Sequence, residues 1–133
     1  MIDQTTITVR YAETDRMGVV YYANYLVWFE VGRTSLLKKI GLPYRQIEED
    51  HGYQTMVREV KCTYSAPATY DDDVIIESSI SSVKNSSLVF DQKALLNGKL
   101  LAEAKIVLVF VRDGKATRIP DDIKGKLIAN AER

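Results

Sequence analysis

Asp15, Gly18 and the residues leading into Asn24 form the stretch of this sequence whose types and spacing could act on a carbonyl group. A carboxylate can take a proton from water or attack as a nucleophile. A glycine three residues on lets backbone approach a ligand closely. A helix starting near Asn24 would carry unpaired N–H groups at its beginning, which, with the helix dipole, stabilise a developing oxyanion. The competing reading is that Asp15 caps a turn, and residue types alone favour it, because polar turn residues are common. The chain has one histidine, His51, and one cysteine, Cys62. A metal site of imidazole or thiolate ligands therefore lacks its ligands, and no metal is expected. A serine nucleophile would depend on His51, and no nucleophile-elbow motif accompanies it. Asp71-Asp72-Asp73 reads as a turn rather than a cation site, since adjacent strand side chains point opposite ways.

Positioning these groups requires regular elements. Thr5, Ile7, Val9 and Tyr11 alternate with Thr6, Thr8 and Arg10, which predicts a strand over 5–11. Residues 12–23 fit neither period. Residues 24–40 read as the main helix, capped by Asn24, with Tyr25, Leu26, Phe29, Leu36, Leu37 and Ile40 at helical spacing. Lys38 and Lys39 suit its C-terminal dipole, and Gly41-Leu42-Pro43 stops it. Val27, Trp28 and Val31 make its first half apolar nearly all round, so burial on most sides is expected. Gly32 would admit another backbone. A short second helix is expected over 43–50. Strands follow over 53–65, 73–83, 86–96 and 99–111, with Asn97-Gly98 and Asp113-Gly114 as hairpin turns. Val74, Ile76 and Ile80 share a face, as do Leu88, Phe90 and Leu96; Leu100, Ala102, Ala104, Ile106, Leu108 and Phe110 form another row. Cys62 alternates with Val60 and Tyr64 and reads as a packed strand residue, while His51 reads as a cap or surface residue. Residues 115–119 would add a short strand, and Asp121 to Arg133 a polar tail of one or two helical turns. A strand, a long buried helix and an antiparallel meander predict an α+β fold, a curved antiparallel sheet wrapped around that helix.

The totals fit one domain over residues 1–133, with 46% hydrophobic and 27% charged residues, which excludes disorder. Lys and Arg number 18, as do Asp and Glu, and a net charge of zero argues against a nucleic-acid partner while leaving room for a local phosphate site. One cysteine allows no internal disulfide. The opening Asp3-Gln4-Thr5-Thr6 is unlike a signal peptide, and no apolar run approaches the length of a membrane span, so a cytoplasmic protein is expected.

Residues 10–33 read Arg-Tyr-Ala-Glu-Thr-Asp-Arg-Met-Gly-Val-Val-Tyr-Tyr-Ala-Asn-Tyr-Leu-Val-Trp-Phe-Glu-Val-Gly-Arg. This opening resembles that of the 4-hydroxybenzoyl-CoA thioesterase family, including its YbgC-type acyl-CoA members. The matching positions are Arg10, Tyr11, Thr14, Asp15, Gly18, Val19, Val20, Tyr21, Asn24, Tyr25, Glu30 and Arg33. Gly41-Leu42-Pro43, Tyr64-Ser65-Ala66-Pro67-Ala68, Tyr70-Asp71-Asp72 and Ile119-Pro120 continue the likeness in order along almost the whole chain. The resemblance implies a hotdog fold and hydrolysis of an acyl-CoA thioester to free acid and CoA without a metal or other cofactor. It also implies homodimers that often pair into homotetramers, with a site shared between two subunits. The family's catalytic aspartate falls on Asp15, as general base or nucleophile. Its backbone N–H that polarises the thioester carbonyl falls on Tyr22. YbgC-type members usually carry histidine where this chain has Tyr22, whereas the 4-hydroxybenzoyl-CoA type has tyrosine, so the acyl preference stays open.

Gly18, Tyr21, Asn24 and Tyr25 are the expected substrate-binding residues beside Asp15, with Trp28 read first as packing. Glu13 could assist Asp15 or be a solvated carboxylate. Glu30 and Arg33, at i and i+3, are expected to pair on the helix. Lys84 and Ser86, in the Lys84-Asn85-Ser86-Ser87 turn, are candidates for the CoA phosphates, ahead of Arg58, Lys61, Arg112 and Arg118. Two other functions fit less well. A hotdog dehydratase or hydratase wants a histidine with an acidic partner, and only His51 is available, outside the motif. A non-catalytic acyl-CoA-binding module remains, which steady release of CoA would exclude.

Overall fold

In the computed structural model, which describes residues 1–132, the chain runs β1 (Asp3–Thr8), a 3-10 turn (Tyr11–Glu13), α1 (Asn24–Lys39), α2 (Tyr44–His51), β2 (Gln54–Tyr64), β3 (Asp73–Val83), β4 (Ser87–Leu96), β5 (Lys99–Arg112), β6 (Lys115–Ala116) and α3 (Asp121–Ala129). Arg133, the end of the expected tail and domain, lies outside the described residues. The strands form one antiparallel sheet in the order β1-β3-β4-β5-β2, with β6 added to the end of β5. Two Asx-Gly turns fold the meander: Asn97 and Gly98 take φ 51° and 79°, and Asp113 and Gly114 take 52° and 75°, the pair of positive angles that a two-residue hairpin requires.

One face of the sheet is apolar. Val74, Ile76 and Ile80 of β3, Leu88, Phe90 and Ala94 of β4, and Ala102, Ala104, Ile106, Leu108 and Phe110 of β5 are all buried. α1 crosses this face over β1, β3 and β4, burying Tyr25, Trp28, Phe29, Gly32, Leu36 and Leu37. Gly32 makes the crossing close. A Cβ built there would stand 2.6 Å from Ser78 Oγ and 2.7 Å from Ile76 Cγ2. The helix ends where Gly41 turns at φ 80° and the Leu42 N–H donates to the Leu37 carbonyl at 2.8 Å. A curled antiparallel sheet around one long helix is the hotdog arrangement that the resemblance implied. Among the described residues, no helix is long and apolar enough to cross a membrane.

Several sequence expectations shift. The first strand covers Asp3–Thr8 rather than 5–11, because Val9 N–H turns to the Asp72 carbonyl and the Arg10–Glu13 box bends the chain, leaving Tyr11 exposed. Helix α1 is not buried on most sides: Leu26, Val27 and Val31 are exposed along one flank. Ala23 occupies the cap position, and Asn24 is already helical. Arg33 does not pair with Glu30; it is buried, and its Nη1 donates to Gln92 Oε1 at 3.1 Å. That amide in turn donates to the Phe29 carbonyl at 2.7 Å and Ser78 Oγ at 2.8 Å, a polar clamp between helix and sheet. The strand expected over 115–119 is only Lys115–Ala116. The expected polar tail contains α3, which buries Ile123 and Leu127.

Candidate active site

Asp15 lies on a tight loop that folds back on itself. Its N–H donates to the Val19 carbonyl at 2.9 Å, and Gly18 N–H returns to the Asp15 carbonyl at 3.0 Å. Gly18 takes φ 79°, an angle that L side chains rarely adopt. Val20 N–H then binds the Ala68 carbonyl at 2.9 Å, strapping the loop to the segment before β3. The turn reading of Asp15 is half realised: Oδ1 accepts the Met17 N–H at 2.8 Å. Oδ2 has no partner among the described residues and the residue is half-buried, so one carboxylate oxygen is free for chemistry.

The chain reaches α1 through Tyr21 and Tyr22. Tyr21 N–H donates to the Glu13 carbonyl, and Asn24 and Tyr25 N–H groups to the carbonyls of Tyr21 and Tyr22. Among the described residues the N–H groups of Tyr22 and Ala23 have no acceptor, which places two unpaired donors at the positive end of the helix. The Tyr21 hydroxyl is held above its usual range by the Tyr22 hydroxyl beside it and, to a smaller degree, by burial and then the Asp15 charge.

Other expected residues take different positions. Tyr25 belongs to the core, edge-on to Trp28 and Tyr64, and burial raises its hydroxyl above the usual range. Trp28 is packing, as expected. The Asn24 side-chain amide donates to the Glu13 carbonyl at 2.9 Å and so braces the loop. Glu13 is not solvated. It is 6% exposed, and its carboxylate faces Trp28 and Arg10 rather than Asp15. Asp72 Oδ2 accepts the Thr69 N–H and hydroxyl, which bears out the turn reading of the acidic run.

Lys84 and Ser86 are not brought to Asp15 within this chain. The Asp15 loop joins the sheet at the Asp73 end of β3, and the Lys84–Ser86 turn caps the Val83 end. The intervening strand is 11 residues long, roughly 33 Å at the rise of a β-strand. Lys84 is exposed there, and the carbonyls of Asn85 and Ser86 hold Ile119 and Phe110.

Tyr64, at the end of β2, was not singled out from the sequence. Its hydroxyl donates to the Tyr22 carbonyl at 3.2 Å, and its ring meets those of Tyr22 and Tyr25 edge-on. Burial, then Cys62 beside it, raises this hydroxyl well above the usual range and keeps it a donor. The sequence placed it only in period-two alternation with Cys62 and at the head of Tyr64-Ser65-Ala66-Pro67-Ala68, one of the stretches that continue the family likeness.

A family profile described as the thioesterase-like superfamily matches residues 9–127. The chain is 39% identical over 89 residues to the putative acyl-CoA thioesterase YneP of Bacillus subtilis, covering 67% of this chain and 64% of that one. It is 30% identical over 120 residues to the acyl-CoA thioesterase YbgC of Haemophilus influenzae, covering 89% of this chain and 88% of that one. Among solved structures, the hypothetical protein TT1821 of Thermus thermophilus matches with a TM-score of 0.95 and 34% identity, covering 100% of both chains.

Proposed function

Because the chain belongs to the thioesterase-like superfamily, which includes YbgC-type acyl-CoA thioesterases, we propose that it hydrolyses an acyl-CoA thioester, using Asp15 and the backbone N–H of Tyr22. The observations that support the reading are a carboxylate with one free oxygen on a fixed loop and two N–H groups without acceptors at the start of α1, with loop and helix start joined by the Tyr21 N–H bond to the Glu13 carbonyl. In the general-base form, Asp15 takes a proton from water and the resulting hydroxide adds to the thioester carbon. The oxyanion is held by the Tyr22 N–H. Collapse breaks the C–S bond, and the proton on Asp15 passes to the departing thiolate, releasing free acid and CoA. In the nucleophilic form the carboxylate adds first, an anhydride forms as the thiolate leaves, and water then cleaves it. Tyr21 and Gly18 border the acyl group in either case.

Val57, Val60 and Tyr64 are exposed along β2, an edge of the sheet with no further strand among the described residues, and Leu26, Val27 and Val31 are exposed on α1. Such an edge invites a second copy. A homodimer, or a tetramer of two such dimers, would cover it.

Release of free thiol from aromatic, short-chain and long-chain acyl-CoAs tests the activity and ranks the acyl groups. Asn at position 15 keeps the bond from Met17 but removes base and nucleophile, so Asp15→Asn should lower kcat by about 10²–10⁴ with little change in KM. Turnover at the parent rate ends the assignment of Asp15. Acyl-CoA binding without release of CoA by the parent protein would favour the non-catalytic module instead.

A further inference from the structure

Glu13 uses both ends of its residue to join the Asp15 loop to α1. Its carboxylate Oε2 accepts the Trp28 indole N–H at 2.8 Å, and Oε1 accepts the Arg10 N–H at 2.8 Å with the Arg10 Nε at 3.5 Å. Its main-chain carbonyl accepts the Tyr21 N–H and Asn24 Nδ2, each at 2.9 Å. Four bonds thus run from one residue to the start of the loop, to the residue before Tyr22, to the first helical residue and to the second turn of the helix. Asp15 is two residues further along the same strap. A buried carboxylate is costly unless its acceptors are filled, and here an indole N–H, a backbone N–H and a guanidinium fill them.

We infer that Glu13 is a positioning residue for the hydrolysis proposed above: it fixes the distance and angle between the Asp15 carboxylate and the free N–H groups of Tyr22 and Ala23. The inference rests on that reading of Asp15 and Tyr22. Glu13 does not touch the reacting atoms; it sets the geometry through Trp28, Tyr21 and Asn24. The charge is required by the donors on both sides. A glutamine at 13 offers one oxygen and one NH₂, so either Arg10 N–H or Trp28 N–H would face another donor. Removing the indole donor relieves that conflict, so Trp28→Phe should improve the Glu13→Gln protein although it harms the parent.

The experiment measures kcat, KM and melting temperature for the parent, Glu13→Gln, Trp28→Phe, the double variant and Asp15→Asn, each assayed well below its own melting point. Glu13→Gln and Trp28→Phe should each lower kcat by about 10–100-fold, the scale of a displacement near 1 Å, with KM within about twofold. The double variant should recover at least several-fold over Glu13→Gln. If Glu13→Gln does not fold, Trp28→Phe alone carries the kcat test. A folded Glu13→Gln enzyme with the parent kcat, or a loss that merely follows the unfolded fraction, overturns the inference. If Asp15→Asn is impaired while Glu13→Gln is not, only the positioning role falls. If Asp15→Asn runs at the parent rate, the catalytic reading falls and this inference with it.

Discussion

The Tyr64 hydroxyl donates to the Tyr22 carbonyl at 3.2 Å and so ties the end of β2 to the peptide whose other end carries the free Ala23 N–H. That peptide also receives the Tyr25 N–H at 3.3 Å, so the phenol is a second restraint and not the sole one. Tyr64→Phe keeps the ring contacts and removes the bond. It should lower kcat by up to about tenfold, equivalent to 1.4 kcal/mol, and leave KM nearly unchanged. Steady-state kinetics on the folded variant checks this, and an unchanged kcat would mean that the helix start holds its donors without β2.

Period and turn chemistry made most of the sheet legible. Val74, Ile76 and Ile80 fell on the buried face, and both Asx-Gly pairs turned hairpins. What the pattern missed are contacts between distant residues. Tyr11 continues the alternation of β1 in sequence, yet the Arg10–Glu13 turn takes it out of the sheet. Arg33 looked like the partner of Glu30 because both lie on one helix, but Gln92, 59 residues away, takes the hydrogen bond. Glu13 could have assisted Asp15 or been solvated, and it does neither; nothing local shows that an indole 15 residues later will reach it. Asp15 needed the family resemblance, since a turn cap and a catalytic carboxylate share the same local sequence. The separation of Lys84 from Asp15 is a property of strand direction, which composition cannot reveal.

Gly32 sits where α1 crosses β3. Alanine would favour the helix by about 1 kcal/mol. Its methyl, however, would meet Ser78 Oγ, Ile76 Cγ2 and Gln92 Nε2 at 2.6, 2.7 and 3.0 Å. Overpacking of a filled core costs about 1–3 kcal/mol, and here it also presses on the Gln92 clamp. Gly32→Ala should therefore lower the melting temperature, by up to about 8 °C for a net loss of up to about 2 kcal/mol. Calorimetry decides it, and a raised melting temperature would show that α1 can lift away from the sheet freely.

Acid should reveal the charge on Glu13. Burial alone would raise its pKa, but the hydrogen bonds from the Arg10 N–H, Trp28 and the Arg10 side chain outweigh it and hold the carboxyl below its ordinary 4.5. A depressed folded pKa means that this contribution is fully present above the unfolded value and is lost as pH falls through the lower folded one. The melting temperatures of the parent and of Glu13→Gln should differ by a constant amount from neutral pH down to about 5, and the gap should narrow as pH falls below the ordinary 4.5 and through the lower folded value. Comparing the two proteins cancels the other carboxylates. A gap that stays constant down to pH 3 would mean that shape, not charge, explains the variant.

Strand direction also dictates how a CoA ester could reach Lys84. In one chain the Lys84 turn lies at the Gln54 end of β2, and Asp15 lies with Tyr64 at the other. A second copy paired antiparallel along the β2 edge, about a two-fold axis, exchanges those ends. The partner subunit's Lys84 then approaches the Asp15 end of the first chain. If the site is assembled this way, Asp15→Asn and Lys84→Glu lie on different subunits of one site. A mixed dimer of the two variants would contain one site with both changes and one with neither. Equal coexpression should give about half mixed dimers, and at subsaturating acyl-CoA about one quarter of the parent rate, well above either variant alone. Val60→Asp, which places a charge on the exposed strip of β2, should weaken the dimer in light scattering and lower the rate with it. Failure of the mixed protein to exceed the separate variants would remove Lys84 from the shared site. A fully active monomer would remove the shared site itself.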